Sequence, residues 1–532
     1  MFKYLIYILL SLSFVTTYSQ KVKKNLVIEE TFLPLISASD SSHSIEALNR
    51  DIDGILKRHN LRNTDYGIII YSLDDKKFLY KSNETMSFTP ASTTKLVTSF
   101  VTLSLYKEKY IETPIYTNGK IKDGILYGDI IIYGQGDPLL TQTDFDSVAT
   151  VIKRKGINQV NGNIYADISY FDSKTSRFKY SYDDDEVEKL APITPLSIER
   201  NKALVTVRGT KRGQYLDCDV YPESETLKYL VYGKTTDNNG IELPDEYKDE
   251  LIEPELIQNY GDAYNSEYKN DNMRVRIGST LNEEGVQIFS VRGNLRKGRT
   301  RAYRYYLKNP AIATVGVLKS SLKKVGVEVY GSSQVCNVYK LNYTEKNKLA
   351  SIKTNLFEIL SNLNKNSDNY IAENLFKLIG AHNQKYNENY FGAQDLTFRT
   401  FDSLRIPYNG LYLNDGSGLS RRNLLSPLSL VKIIEYIYNQ DYSDEFFESL
   451  AVAGEDGTLR KRMRNTAAED ILIGKTGTLR NVSALSGITT SLDGEKLAYA
   501  FIFNGNSVSK YKDIENDLGE LISQFFYFNE ER

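Results

Sequence analysis

The sequence predicts an α+β fold: an antiparallel sheet flanked by helices, with β-rich domains inserted into it. Three observations carry this. An amphipathic helix and a hairpin open the chain, three strands and a helix close it, and the long stretch between them changes to short β-like runs.

Ile45, Leu48, Ile52, Ile55 and Leu56 recur at helical spacing and mark the opening helix. Alternating segments at 66–72 and 77–80, turned by Leu73, Asp74, Asp75 and Lys76, read as the hairpin. After Thr89 and Pro90, a helix is expected over about 92–106. Its Leu96, Val97, Phe100, Val101, Leu103 and Leu105 leave little polar face, so it should be buried. From about 110 to 345, runs such as 125–133, 203–207, 275–277 and 286–291 are separated by polar and acidic turns, among them 242–270. That texture suits one or two β-rich domains. Strands at 469–476, 482–490 and 496–503, the last two turned at Asp493 and Gly494, precede a helix with Ile514, Leu518, Leu521, Ile522 and Phe525. The expected organisation is one discontinuous domain, 20–110 with 346–532, interrupted by an insert at 111–345 of two subdomains.

At 532 residues the chain exceeds what one hydrophobic core supports. Lys+Arg 66 against Asp+Glu 68 gives a formal charge of −2, which offers no electrostatic footprint for nucleic acid. Lys3 followed by an apolar run from Leu5 to Val15, ending in Thr16, Thr17 and Ser19, has the grammar of a secretory signal peptide cleaved after Ser19. The run is shorter than the roughly 20 residues a bilayer needs, and no other stretch is long and apolar enough, so no integral membrane segment is expected after cleavage. Export would permit a disulfide between Cys218 and Cys336; two unpaired core cysteines are the alternative. The histidines are His43, His59 and His382, none with ligand spacing, and exposed side chains are expected for each. A histidine-dependent triad or zinc site would have to draw on these.

Ser92-Thr93-Thr94-Lys95 puts a hydroxyl and an amine one turn apart on one face of a helix N-terminus, where free amides suit a developing oxyanion. The same spacing recurs at Ser320/Lys323, Ser321/Lys324 and Ser507/Lys510, where a solvated helix face is explanation enough. Ser367-Asp368-Asn369 lies between helical segments at 355–364 and 370–378, so it reads either as a polar loop aimed into a cleft or as a helix cap. Lys475-Thr476-Gly477-Thr478 lies on a strand, and glycine weakens a strand unless something approaches its backbone closely, as a substrate paired along the edge would.

Singly these motifs say little. S-x-x-K, S-D-N and K-T-G in this order, on helix, loop and strand, are together the signature of penicillin-binding proteins and serine β-lactamases. Thr89-Pro90-Ala91, Gly128-Asp129, Gly136-Asp137-Pro138, the segment from Asn414 to Asn423 (NDGSGLSRRN) and that from Ala453 to Leu459 (AGEDGTL) resemble the D-alanyl-D-alanine carboxypeptidase/endopeptidase family, the class C low-molecular-mass penicillin-binding proteins. The resemblance covers nearly the whole chain after the leader. The long gap between Ser92 and Ser367 matches that family's habit of inserting domains between the first two motifs.

Without a histidine to serve Ser92, Lys95 must accept its proton while neutral. Moving a lysine from about 10.4 towards 7 costs its charged form about 4 kcal/mol, to be met by burial and nearby cations such as Lys475. Ser367 would relay a proton to the leaving amine, and Asn369 would bond the substrate backbone and orient Lys95. The resemblance further implies an oxyanion hole from the amides of Ser92 and Thr478, and a seat for the terminal D-alanine carboxylate at Lys475, Thr476 and Thr478 beside Gly477. It implies peptidoglycan stem peptides as substrates, β-lactam antibiotics as covalent inhibitors, and no metal or organic cofactor. It also implies an acidic subsite for the free amine of the peptide's third residue. Asp184, in Tyr182-Asp183-Asp184-Asp185, is the best match, with a solvated acidic turn as the alternative. Arg421 matches a second subsite contact or a structural ion pair. A serine β-lactamase would share Ser92 and Lys95, but no E-x-x-L-N segment lies between the second and third motifs. A non-catalytic wall-peptide binder would not need Ser92 and Lys95 together.

Overall fold

The structure, a computed structural model, describes residues 44–181, 188–236, 275–383 and 385–526. The leader at 1–19, His43, the acidic stretch 242–270 and Asp184 with Asp183 and Asp185 lie outside the described residues.

Six strands form an entirely antiparallel sheet in the order Phe78–Ser82, Asp65–Ser72, Lys496–Asn504, Val482–Thr490, Ile473–Leu479 and Ala451–Val452. Both ends of the chain therefore contribute to one sheet. Side-chain alternation along its central strands feeds two cores. Ile68, Ile70, Tyr499, Phe501 and Phe503 face the helices Ile45–Arg58 and Val508–Ser523. Ile69, Tyr71, Ala498, Ala500 and Ile502 face a helical layer built around Thr94–Leu105, Leu356–Lys365, Asn369–Ala381, Asn389–Ser403 and Pro427–Tyr438. Helices cover both faces, which is why these strands read as nearly unbroken apolar runs. Phe100, wholly buried between Phe401 and Tyr436, contributes on the order of 2 kcal/mol by leaving water.

Two element boundaries differ from the sequence reading. The third motif's strand begins at Ile473 rather than 469, because Asp470 turns the chain with φ 62° and leaves Ile471 exposed. Ser92 precedes the α-helix, in a one-turn 3-10 segment Ala91–Thr93 that runs into Thr94–Leu105.

In the middle of the chain, strands Tyr110–Thr117 and Lys348–Asn355 pair antiparallel. They belong to a five-stranded mixed sheet completed by Ile130–Tyr133, Ile164–Asp167 and Ser333–Cys336. The run 125–133, expected as one strand, is two: Ile125–Tyr127 and Ile130–Tyr133 pair in different sheets, broken at Gly128, whose α-carbon packs against Gly119. Two long helices, Gln142–Arg154 and Pro310–Lys324, bury Phe145, Val148, Ile152, Val315, Leu318 and Leu322 in the core of this region, so its texture is more helical than the sequence suggested. Ser320, Ser321, Lys323 and Lys324 belong to that second helix. Cys218 and Cys336 are free thiols. His59 is half-buried against Asp517, and His382 lies edge-on to Tyr106. Among the described residues, no helix is long and apolar enough to cross a membrane.

Candidate active site

The turn that carries Ser92 is strained and tightly enclosed. Ala91 holds φ 48°, a conformation that costs a non-glycine residue about a kcal/mol or more, and the hydroxyls of Thr93 and Thr94 tie back to the carbonyls of Pro90 and Ala91. Two glycines wall it in. A β-carbon at Gly418, where φ is 82°, would lie 1.9 Å from the Ala91 oxygen, and one at Gly477 would lie 2.7 Å from the Pro90 oxygen and 3.1 Å from the Ser92 nitrogen. The close approach that the strand glycine permits is therefore made first by the protein's own nucleophile turn.

Lys95 follows one turn later and is completely buried. Its Nζ lies 2.9 Å from Ser92 Oγ, 2.7 Å from Asn369 Oδ1 and 2.5 Å from the Ser417 carbonyl. The last two can only accept. A neutral amine has two hydrogens, so meeting both acceptors aims its lone pair at the Ser92 hydroxyl. Burial pushes the Lys95 amine down to about 8, against the pull of Asp415, Glu373, Asp368 and Glu188. Lys475, also completely buried, donates to Ser367 Oγ at 2.9 Å and to the Thr476 carbonyl at 2.8 Å. Burial, and then the neighbouring Lys95 amine, hold it well below the usual lysine range. Both influences disfavour the charged form of Lys475, burial more than Lys95, and so act against the role of nearby cation expected of it.

The middle motif serves both purposes the sequence left open. Asp368 caps the helix Asn369–Ala381, accepting from the Ile371 N–H at 3.0 Å, while Ser367 and Asn369 on either side turn to the two lysines. Ser367 is left-handed, φ 54°, and that twist separates its hydroxyl from the cap. Asp368 is gripped from the middle region by Arg200, whose Nη1 lies 2.8 Å from Oδ2 while Nη2 donates to Asn362 at 2.7 Å. Arg200 reaches it from three successive left-handed residues, Glu199, Arg200 and Asn201.

Along the strand Ile473–Leu479, the neighbour Ala451–Val452 pairs only with Ile473 and Gly474. Beyond them, among the described residues, that edge has no strand partner, as backbone pairing with an extended peptide requires. Thr476 Oγ1 donates to Thr458 Oγ1 at 2.8 Å, bringing the segment 453–459 to the same edge.

Ser92, Lys95 and Asn369 are thus joined by hydrogen bonds, Lys475 is joined to Ser367, and Gly477 packs the strand that carries Lys475, Thr476 and Thr478 against the Ser92 turn. Arg421 donates to the Arg480 carbonyl at 2.7 Å, so its partner there is a carbonyl and not the carboxylate of an ion pair. A cavity of about 380 Å³ opens elsewhere, between Tyr106, Tyr110, Tyr170 and His382. The sequence reading missed Glu373, which accepts from the Ser417 N–H at 2.8 Å, and Glu188, which accepts from Asn369 Nδ2. It also gave no role to Asp415, Ser417 or Thr458, although all three lie in segments it singled out. A carboxylate within a largely apolar helical segment was the available signal for Glu373; Glu188 had none.

A family model described as the D-Ala-D-Ala carboxypeptidase 3 (S13) family matches residues 48–244 and 265–525. The chain is 25% identical over 450 residues to the D-alanyl-D-alanine carboxypeptidase DacB of Haemophilus influenzae, covering 84% of this chain and 86% of that one. It is 27% identical over 497 residues to the D-alanyl-D-alanine carboxypeptidase of Actinomadura sp. strain R39, with coverages of 88% and 83%. The crystal structure of penicillin binding protein 4 (dacB) from Haemophilus influenzae has the same fold, with a TM-score of 0.63 at 22% identity over 88% of this chain and 99% of that one. The family match spans both ends and the middle of the chain, so this protein belongs to the D-Ala-D-Ala carboxypeptidase 3 (S13) family and is a serine-type carboxypeptidase.

Proposed function

We propose that the chain hydrolyses the D-alanyl-D-alanine bond of peptidoglycan stem peptides through an acyl-enzyme on Ser92, and that β-lactam antibiotics trap the same ester. The observation that carries this is the buried Lys95 amine, 2.9 Å from Ser92 Oγ and within hydrogen-bond distance of the Asn369 and Ser417 acceptors.

Neutral Lys95 takes the Ser92 proton as Oγ attacks the scissile carbonyl. The amides of Ser92 and Thr478 receive the oxyanion. Ser367, held by Lys475, passes a proton to the leaving D-alanine amine and is resupplied with the one that Lys95 took from Ser92; water then attacks the ester, giving its proton through Lys95 to Ser92 Oγ as the shortened peptide leaves. A substrate carboxylate seated at Lys475, Thr476 and Thr478 favours the charged form of Lys475. On this reading Gly477 admits the nucleophile turn and Arg421 borders the peptide.

Asp184 is assigned to the free amine of the third residue. That reading is supported by its described neighbours, since the Ser181 carbonyl accepts from Asn414 and Glu188 from Asn369. The reading includes export to the periplasm through the leader at 1–19. It treats 111–345 as an insert of two subdomains in a discontinuous catalytic domain.

A β-lactamase is the competing reading. Incubation with nitrocefin and, separately, with a pentapeptide ending in D-alanyl-D-alanine separates them. One stoichiometric burst with nitrocefin and catalytic release of D-alanine are expected; sustained nitrocefin turnover without D-alanine release would overturn the proposal.

A further inference from the structure

The short helix Arg177–Ser181 belongs to the middle region, yet its charge is spent beside the catalytic lysine. Arg177 Nη1 lies 3.0 Å from Asp415 Oδ2, with the two side chains 2% and 0% exposed. A second bond ties the same helix to the same loop, from Asn414 Nδ2 to the Ser181 carbonyl at 2.8 Å.

Asp415 organises everything around it. Its Oδ1 accepts from the Gly418 N–H at 2.8 Å and from Asn423 Nδ2 at 2.7 Å, and its Oδ2 accepts from the Ser420 N–H at 2.8 Å. Two residues along the loop, the Ser417 carbonyl receives Lys95 Nζ, and Gly418 walls the Ser92 turn. The loop that completes the lysine's surroundings is thus folded around one carboxylate whose charge is met by an arginine from another part of the chain.

We propose that Arg177 is a positioning residue for acyl transfer: by neutralising Asp415 inside the protein it keeps an uncompensated negative charge from the Lys95 amine and fixes the loop that receives that amine. The inference rests on Lys95 being the base. Other charged groups also face Lys95. Glu373 and Asp368 belong to the helix Asn369–Ala381 and its cap, Glu188 comes from the middle region, and Lys475 lies on the adjoining strand. Asp415 heads the carboxylates that favour charge on Lys95, and Arg177 is the cation in contact with it. Removing Arg177 therefore makes Lys95 harder to deprotonate, whereas removing the Asp415 charge makes it easier.

The test is the rate of acylation by a fluorescent penicillin, followed on the full chain across about pH 5.5 to 10, a span that brackets the titration of a buried lysine. It compares the wild type, Arg177→Met, Asp415→Asn and the double variant. The acid limb should move up by about one pH unit in Arg177→Met, move down in Asp415→Asn, and return to the wild-type position in the double variant. A uniform loss of rate with every limb in place would overturn the proposal and leave Arg177 a structural tie. If Arg177→Met fails to fold, Asp415→Asn against the double variant makes the same comparison, since adding Arg177→Met to Asp415→Asn should raise the limb. Lys95→Ala, run alongside, separates the two levels: full acylation there would remove Lys95 as base, whereas lost acylation with unmoved limbs would remove only the role of Arg177.

Discussion

The cleft and the middle region both bury charge, but they do so differently. Around Ser92, groups of both signs are buried together: Lys95, Lys475, Glu373 and Asp415 are all fully enclosed, Lys95 and Glu373 meet on Ser417, and Lys475 bonds Ser367. In the middle region, carboxylates are buried singly and met by neutral donors. Asp137 accepts from the Leu139 N–H and the Thr354 hydroxyl, and Asp167 from Ser169, Tyr339 and Tyr343. A carboxylate held by neutral donors fixes a turn. A cluster of opposite charges sharing acceptors lets a proton change owner at small cost, and that is what acyl transfer needs.

The largest effect should come from the shared proton itself. Lys95→Ala should lose penicillin acylation almost as completely as removal of Ser92, and the Ser92/Lys95 double variant should be no worse than either single one, because members of one catalytic unit are not additive. Stopped-flow labelling of the three proteins decides it; multiplied losses would make Lys95 an independent binding residue. In the wild type the same assay should show acylation rising with pH through about 8, as the buried Lys95 amine gives up its proton.

Gly477→Ala sharpens the comparison sterically. Its new β-carbon would displace the Ser92 turn and should cost about 100-fold in acylation, whereas Gly278→Ala on a middle-region strand, where a β-carbon meets nothing within 4 Å, should cost none. A smaller effect, about fivefold in kcat/KM, is expected from Arg200→Ala. Its side chain and that of Asp368 are 32% and 19% exposed, so solvent already weakens the tie that steadies Ser367.

The smallest effect on catalysis should come from Asp137→Asn, which tests the middle region's pattern through stability. Burial pushes the Asp137 carboxyl up to about 7, above its unfolded value. The folded chain therefore holds that proton more tightly, and the stability it gives is full below about pH 4 and lost as pH rises towards 7. Thermal melts from about pH 5 to 8 should fall less steeply in Asp137→Asn than in the wild type, with D-alanine release unchanged. Equal slopes would contradict the assignment.

Much of the cleft was legible because its chemistry demands fixed residue types at fixed spacings: a hydroxyl and an amine one turn apart, a polar loop between helices, a glycine in a strand. What joins the cleft to the middle region was not legible. Arg177, Glu188 and Arg200 reach their partners across 238, 181 and 168 residues through geometry no local pattern encodes; Arg200 needs three left-handed residues to do so. The same holds for the middle fold, where alternation revealed strands such as Lys202–Arg208 but not that Gly128 divides a single apolar run between two sheets.

The central claim is that one buried amine makes Ser92 a nucleophile. Intact-protein and peptide mass spectrometry after brief exposure to benzylpenicillin tests it most directly. The account requires a single stable adduct of one penicilloyl group on the peptide containing Ser92, absent from Ser92→Ala; an adduct on any other residue, or one that survives in Ser92→Ala, would contradict it.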